Sequence, residues 1–129
     1  MRILEKYIRV KADDLDDLMH VNNIRYLEWV QDIAKDHWFQ NAPEDIQKAV
    51  YWVVLSHRID YKSAAVLDDV IKLKTYVKSS EGVRSVRIVE MHNTVNDKPI
   101  VLAETVWCLI NKSTGRPMKI DDSIRNLFE

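Results

Sequence analysis

The spacing of hydrophobic and polar positions changes twice along the chain. Residues 3–11 alternate loosely, with Ile3, Tyr7, Ile8 and Val10 set among charges, which predicts a first strand. A polar stretch, KADDLDDLMHVNN, follows, and then the period lengthens to about 3.6 residues. Ile24, Leu27, Val30, Ala34 and Trp38 recur at helical spacing, Tyr26, Trp29 and Ile33 widen the stripe, and Arg25, Glu28, Asp32, Lys35 and Asp36 occupy the remaining face. This predicts one long helix. Asn22 or Asn23 is expected to cap it, because an amide oxygen there accepts from free N–H groups of the first turn, and Pro43 marks its exit.

Beyond Pro43 the period falls back to two. In YWVVLSHRIDY the odd positions Tyr51, Val53, Leu55, Ile59 and Tyr61 form one apolar face. After an Asp68-Asp69 turn, Ile71, Leu73 and Val77 repeat the alternation, with Lys72, Lys74 and Lys78 facing the other way. A turn at Ser79 to Gly82 leads to VRSVRIVEM, and a turn at Asn96-Asp97-Lys98 leads to IVLAETVWCLI. A loop over 111–116 leads to a short apolar tail, where Asp121 or Asp122 caps a final helical turn or two ending at Phe128. The expected order is strand, long helix, then four strands joined by short turns, and short connections imply antiparallel neighbours. A helix this apolar must be wrapped by the sheet rather than laid on its outside, so the expected class is α+β. The exposed edges of such a sheet are commonly satisfied by a second copy, which predicts a homodimer or homotetramer.

Composition narrows the function. At 129 residues the chain is expected to be a single domain, 1–129. Average usage would supply about nine glycines, whereas the chain has two, Gly82 and Gly115. A Walker A loop, a Rossmann fingerprint and a Gly-x-Ser-x-Gly elbow are thereby excluded by count. With 19 basic and 20 acidic residues there is no electrostatic footprint for nucleic acid or an anionic membrane. No apolar run approaches a membrane span, the opening MRILEKYIRV is too charged for a signal peptide, and the lone Cys108 fits a reducing compartment, so a cytoplasmic location is expected.

The densest polar constellation is Asp13, Asp14, Asp16, Asp17, His20, Asn22 and Asn23, just ahead of the helix. A helix N-terminus offers unpaired N–H groups and about half a positive charge, which suits an oxyanion developing at a carbonyl. A nearby carboxylate can act as general base or nucleophile, and a histidine can carry a proton near neutral pH. These are the parts of an ester or thioester hydrolase. The same residues also serve as turn formers and caps. No metal set is legible: an EF-hand starting at Asp14 would need a ligand at Leu18 and a glycine at Met19, and His20, His37, His57 and His92 are dispersed.

The run Asp14-Leu15-Asp16, three residues, His20-Val21-Asn22-Asn23, two residues, Tyr26-Leu27-Glu28-Trp29 resembles the motif of the hotdog-fold thioesterases, most of all the acyl-ACP thioesterase and 4-hydroxybenzoyl-CoA thioesterase branch. The resemblance implies a curved antiparallel sheet wrapped around a central helix, and hydrolysis of an acyl-CoA or acyl-carrier-protein thioester. It places the catalytic carboxylate at Asp16, as general base or nucleophile. His20 matches the histidine of the plant-type enzymes, and Asn22 and Asn23 match the pair that opens their helix. In the 4-hydroxybenzoyl-CoA type the oxyanion donor is a backbone N–H at the position of Asn23. Asn22, Tyr26 and Glu28 are the expected substrate-binding residues. No cofactor is implied beyond the substrate's own CoA or pantetheine arm. Three departures stand out: Leu18 where the plant-type enzymes have asparagine, Met19 where they have Gly or Gln, and Ala64 near the place of their later glutamate. A hydratase or dehydratase of acyl thioesters and a non-catalytic acyl-thioester binding module are the rival readings.

Overall fold

The computed structural model describes residues 1–129. In chain order the elements are β1 (Leu4–Arg9), α1 (Asn23–Asn41), α2 (Glu44–Ala49), β2 (Val50–Tyr61), β3 (Val70–Glu81), β4 (Arg84–Asn93), β5 (Pro99–Asn111), β6 (Arg116–Pro117) and α3 (Asp122–Arg125). One antiparallel sheet, ordered β1-β3-β4-β5-β2 with β6 paired to β5, curls around α1. Tyr26, Trp29, Val30 and Ile33 of the helix share a buried cluster with Ile71 and Leu73 of β3, Val89 and Met91 of β4, and Val101 and Ala103 of β5. A helix buried on this much of its surface leaves water only where the sheet does not reach. The α+β class and the wrapped central helix are those expected from the sequence.

Two sequence expectations are corrected. The first concerns the strands after the helix, which are not all neighbours: β2 pairs with β5 at the far edge, not with β3. Residues 62–69 are therefore a crossover, not a hairpin turn. Eight residues reach at most ~26 Å, and the two intervening strands need only ~14 Å at ~4.8 Å per step, so the link is long enough to pass over the N-terminal end of α1. It is stitched there by Val21 N–H donating to Ala65 O (2.9 Å) and by a bridge between His20 and Val66.

The second correction is to facing. β2 carries a bulge between Val54 and Ser56, and a bulge reverses which parity points inward. Val50 and Trp52 turn inward before it and His57 and Ile59 after it, leaving Tyr51, Leu55 and Tyr61 exposed. The helix stripe is likewise rotated, with Tyr26, Trp29, Val30, Ile33, Ala34, His37 and Trp38 buried. Ile24 is 65% exposed; two residues from Tyr26, it lies roughly 200° around the helix, on the side away from the sheet. The short helix α2 and the two-residue β6 carry too little pattern to announce themselves.

A second core, the C-terminal core, lies at the C-terminal end of α1, where Trp38, Ala42, Val50, Leu109, Ile120, Ile124 and Phe128 pack together. Asp121 caps α3 by accepting from Ile124 N–H at 3.1 Å, and a 3-10 turn continues to Phe128. No helix of the fold is long and apolar enough to cross a membrane.

Candidate active site

The polar stretch ahead of α1 divides into structural and available groups. Asn22 is the N-cap, its Oδ1 accepting from Ile24 N–H at 3.0 Å. Asp14 accepts from Lys11 N–H at 2.9 Å and pairs with Arg25 Nε at 3.0 Å, its side chain only 12% exposed. Asp14 thus ties the strand-to-helix connection to the helix's first turn. Asp16 sits at the start of a tight turn that runs to Met19, with Met19 N–H donating to Asp16 O at 3.0 Å and Met19 in the left-handed region at φ 62°. The Asp16 carboxylate accepts from Leu18 N–H (2.9 Å) and His20 N–H (3.3 Å), both through Oδ1. Its second oxygen has no partner within the chain.

Asp16, His20, Asn23 and Tyr26 line one open cavity of about 370 Å³, together with Val21 and Tyr61, Lys62, Ser63 and Ala64. The crossover supplies the far wall, which explains why its residues escape a reading of local pattern: nothing in their own spacing says that 61–64 return to the helix start. The backbone N–H groups of Asn23 and Ala64 have no acceptor in the chain. Asn23 is the first residue of α1, where the aligned peptide dipoles concentrate positive potential. A free carboxylate oxygen and unpaired amides thus border one volume, and a histidine whose ring makes no hydrogen bond within the chain lies beside them.

Tyr26 holds the cavity together. Its hydroxyl accepts from the buried Ala65 N–H at 3.1 Å and its ring meets Trp29 edge-on at 5.7 Å. Burial pushes its hydroxyl above the ordinary value of 10.0 against the lowering effect of the Ala65 N–H bond, and Asp69, Asp16 and Tyr61 add to the rise, so the phenol stays protonated. Two expected substrate-binding residues fall elsewhere. The Asn22 side chain is occupied by capping, and Glu28 lies outside the cavity, 53% exposed and paired to Arg25 at 2.9 Å. Nowhere in the fold do three or more His, Cys, Asp or Glu side chains converge as a metal set.

A second cavity, of about 290 Å³, lies at the other end of α1 against the C-terminal core. It shares no lining residue with the first.

A family model described as the thioesterase-like superfamily matches residues 10–128. The palmitoyl-acyl carrier protein thioesterase of Arabidopsis thaliana chloroplasts is 30% identical over 93 residues, which is 70% of this chain and 22% of that protein. The chain therefore spans about a fifth of the length of the chloroplast relatives it matches. The long-chain acyl-CoA thioesterase of Escherichia coli is 24% identical over 130 residues, covering 98% of this chain and 97% of that one. A crystal structure of a 4-hydroxybenzoyl-CoA thioesterase mutant with its CoA ligand superposes with a TM-score of 0.89 at 14% identity, covering both chains completely.

Proposed function

The chain belongs to the thioesterase-like superfamily, and we propose that it hydrolyses acyl-CoA or acyl-carrier-protein thioesters to a free acid and a thiol. Its hotdog fold presents the N-terminus of the central helix to a cavity. The observation that carries the reading is that Asp16 and the unpaired Asn23 N–H border the same cavity. With a thioester carbonyl there, Asp16 takes a proton from water as the water oxygen attacks the carbonyl carbon. The carbonyl oxygen becomes an oxyanion that accepts from Asn23 N–H and is held by the helix dipole. Collapse reforms the carbonyl and breaks the C–S bond, and the thiolate leaves and takes up a proton. His20, which is exposed and lines the same cavity as Asp16, relays that proton. In the alternative course Asp16 attacks the carbonyl carbon directly, the C–S bond breaks and the thiolate leaves and takes up a proton, and water then hydrolyses the mixed anhydride to the free acid and the Asp16 carboxylate.

The relatives named for acyl-CoA and acyl-carrier-protein hydrolysis support this substrate class. The experiment is thiol release from a panel of acyl-CoAs and an acyl-carrier protein, corrected for the buried Cys108 thiol. Wild type should turn over and Asp16→Asn should lose at least a hundredfold in kcat/KM, within the usual range for removing a general base. Undiminished turnover in the variant would remove Asp16 from the chemistry, and hydration of an enoyl-CoA without thiol release would replace the hydrolase with a hydratase.

The working unit is a homodimer on this reading. β2 is an edge strand of twelve residues, and its exposed Tyr51, Leu55 and Tyr61 are apolar. Long apolar edges are ordinarily covered.

A further inference from the structure

The second cavity holds a charge that the chain does not neutralise. Arg87, on the central strand β4, is 6% exposed and lines the cavity. Its Nη1 donates to His37 Nδ1 at 2.8 Å and to Thr75 Oγ1 at 3.2 Å, and its guanidinium carbon lies 5.2 Å from the centroid of the Phe128 ring. All three partners are uncharged groups, since His37, itself 1% exposed, is held well below its ordinary value at about 4 by burial and by Arg87 and Arg2. No carboxylate forms an ion pair with Arg87, although buried cations are as a rule paired. Burial lowers Arg87 itself to about 10, so it remains charged at neutral pH.

The other unmet groups nearby have the same polarity. Because His37 Nδ1 accepts from Arg87, its proton is on Nε2, which is buried without an acceptor. The indole N–H of Trp107, another lining residue, is also buried without one. Lys35 and Lys112 are the only other charged lining residues, neither is in an ion pair, and no Asp or Glu lines the cavity. The rest of the wall is mainly apolar, with Trp38, Trp52, Val77 and Phe128 prominent. A volume of about 290 Å³ is at the lower edge of ligand sites, ~300–1,000 Å³. A cationic group, spare donors and aromatic walls together match a molecule with an anionic head and an apolar body.

We propose that this cavity is a second binding site, which takes an apolar carboxylate such as a fatty-acid anion, with its head on Arg87 and its chain among Trp38, Trp52 and Phe128. It is distinct from the thioester site: Trp38 lies fifteen residues after Asn23 on α1, ~22 Å along the axis. The carboxylate has two possible sources, a free acid or the far end of an acyl chain that carries a second carboxyl group.

The test is calorimetric titration of the intact protein with decanoate and with decanol, which share an apolar body and differ in the head. Wild type should bind decanoate at least tenfold more tightly than decanol. Arg87→Gln should erase that difference, and Trp107→Phe, which keeps the aromatic bulk and removes the N–H, should weaken decanoate several-fold. The wild-type comparison stands alone if Arg87→Gln fails to fold. Equal binding of the two ligands, no binding of decanoate by any arm, or undiminished preference in a folded Arg87→Gln protein would overturn the proposal. In the second arm, thiol release is compared for octadecanoyl-CoA and its ω-carboxylated analogue, whose extended chain is long enough to reach from the helix start to Arg87. A tenfold preference for the analogue that Arg87→Gln removes assigns the carboxylate to the acyl end; decanoate binding without that preference assigns it to a free acid. Asp16→Asn should bind decanoate as wild type does, and an absence of thiol release by wild type with decanoate binding intact counts against the hydrolase reading alone.

Discussion

The hydroxyl of Tyr26, on the first turn and a half of α1, accepts the N–H of Ala65, a fully buried residue of the crossover, at 3.1 Å. With the Val21 N–H bond to Ala65 O, it joins the two segments that face each other across the candidate active site. Tyr26→Phe keeps the ring packing on Trp29 and leaves a buried N–H without an acceptor. Such an orphan costs ~1–3 kcal/mol. Urea unfolding should therefore show a lower midpoint with an unchanged slope, and kcat/KM should fall as the crossover loosens. An unchanged midpoint would mean that Ala65 finds another acceptor.

Asp14 and Asp16 are two residues apart and do different work. Asp14 is largely buried and paired to Arg25 at 3.0 Å, while Asp16 lines the cavity with one oxygen unpartnered. Asp14→Asn should lower stability by ~1 kcal/mol, the scale for a partly exposed ion pair, and change kcat/KM by less than tenfold. Asp16→Asn should do the reverse, and equal kinetic losses in the two variants would show that the segment acts through its shape and not through the Asp16 carboxylate.

The division between what the chain's pattern reveals and what it hides follows the range of the interactions. Asn22 is legible as a cap and Asp121 as a second one because each bonds only two or three residues ahead. Asp16, His20 and Asn23 are legible as a group because one short segment carries all three. Tyr61, Lys62, Ser63 and Ala64 reach the same cavity through the pairing of β2 with β5, a non-local choice that no local period encodes. The bulge in β2 hides the facing of Tyr51 and Leu55 in the same way. Arg87 had a usable signal: Ser85, Val89 and Met91 share its parity on β4 and are all buried, so period two places the arginine inside. His37 likewise follows Tyr26, Val30 and Ile33 along the helix stripe.

Acid should weaken the fold through His37. Its value falls from 6.5 in the unfolded chain to about 4 in the folded one, chiefly through burial and then through Arg87 and Arg2. Between those two values the unfolded chain binds more protons than the folded one, so this contribution is complete above pH 6.5 and is lost as pH falls toward about 4. His37→Gln, which can keep an acceptor for Arg87 but does not titrate, should show a shallower loss of stability across that window by denaturant unfolding at several pH values. Parallel profiles for the two proteins would mean that other groups set the acid limit.

The edge strand gives the last test. A two-fold axis through β2 would pair it antiparallel with its own copy and extend the sheet across both subunits. Leu55 is 47% exposed, lies at the bulge, and belongs to neither buried cluster, so replacing it should leave the protomer's cores intact. A lysine there would put two like charges near the axis and is a common guard of free edges. Sedimentation velocity at micromolar concentration should show a dimer for wild type and a monomer for Leu55→Lys, with matching far-UV circular dichroism. A wild-type monomer would remove the dimer from the proposed mechanism, and a dimeric Leu55→Lys protein would move the interface off β2.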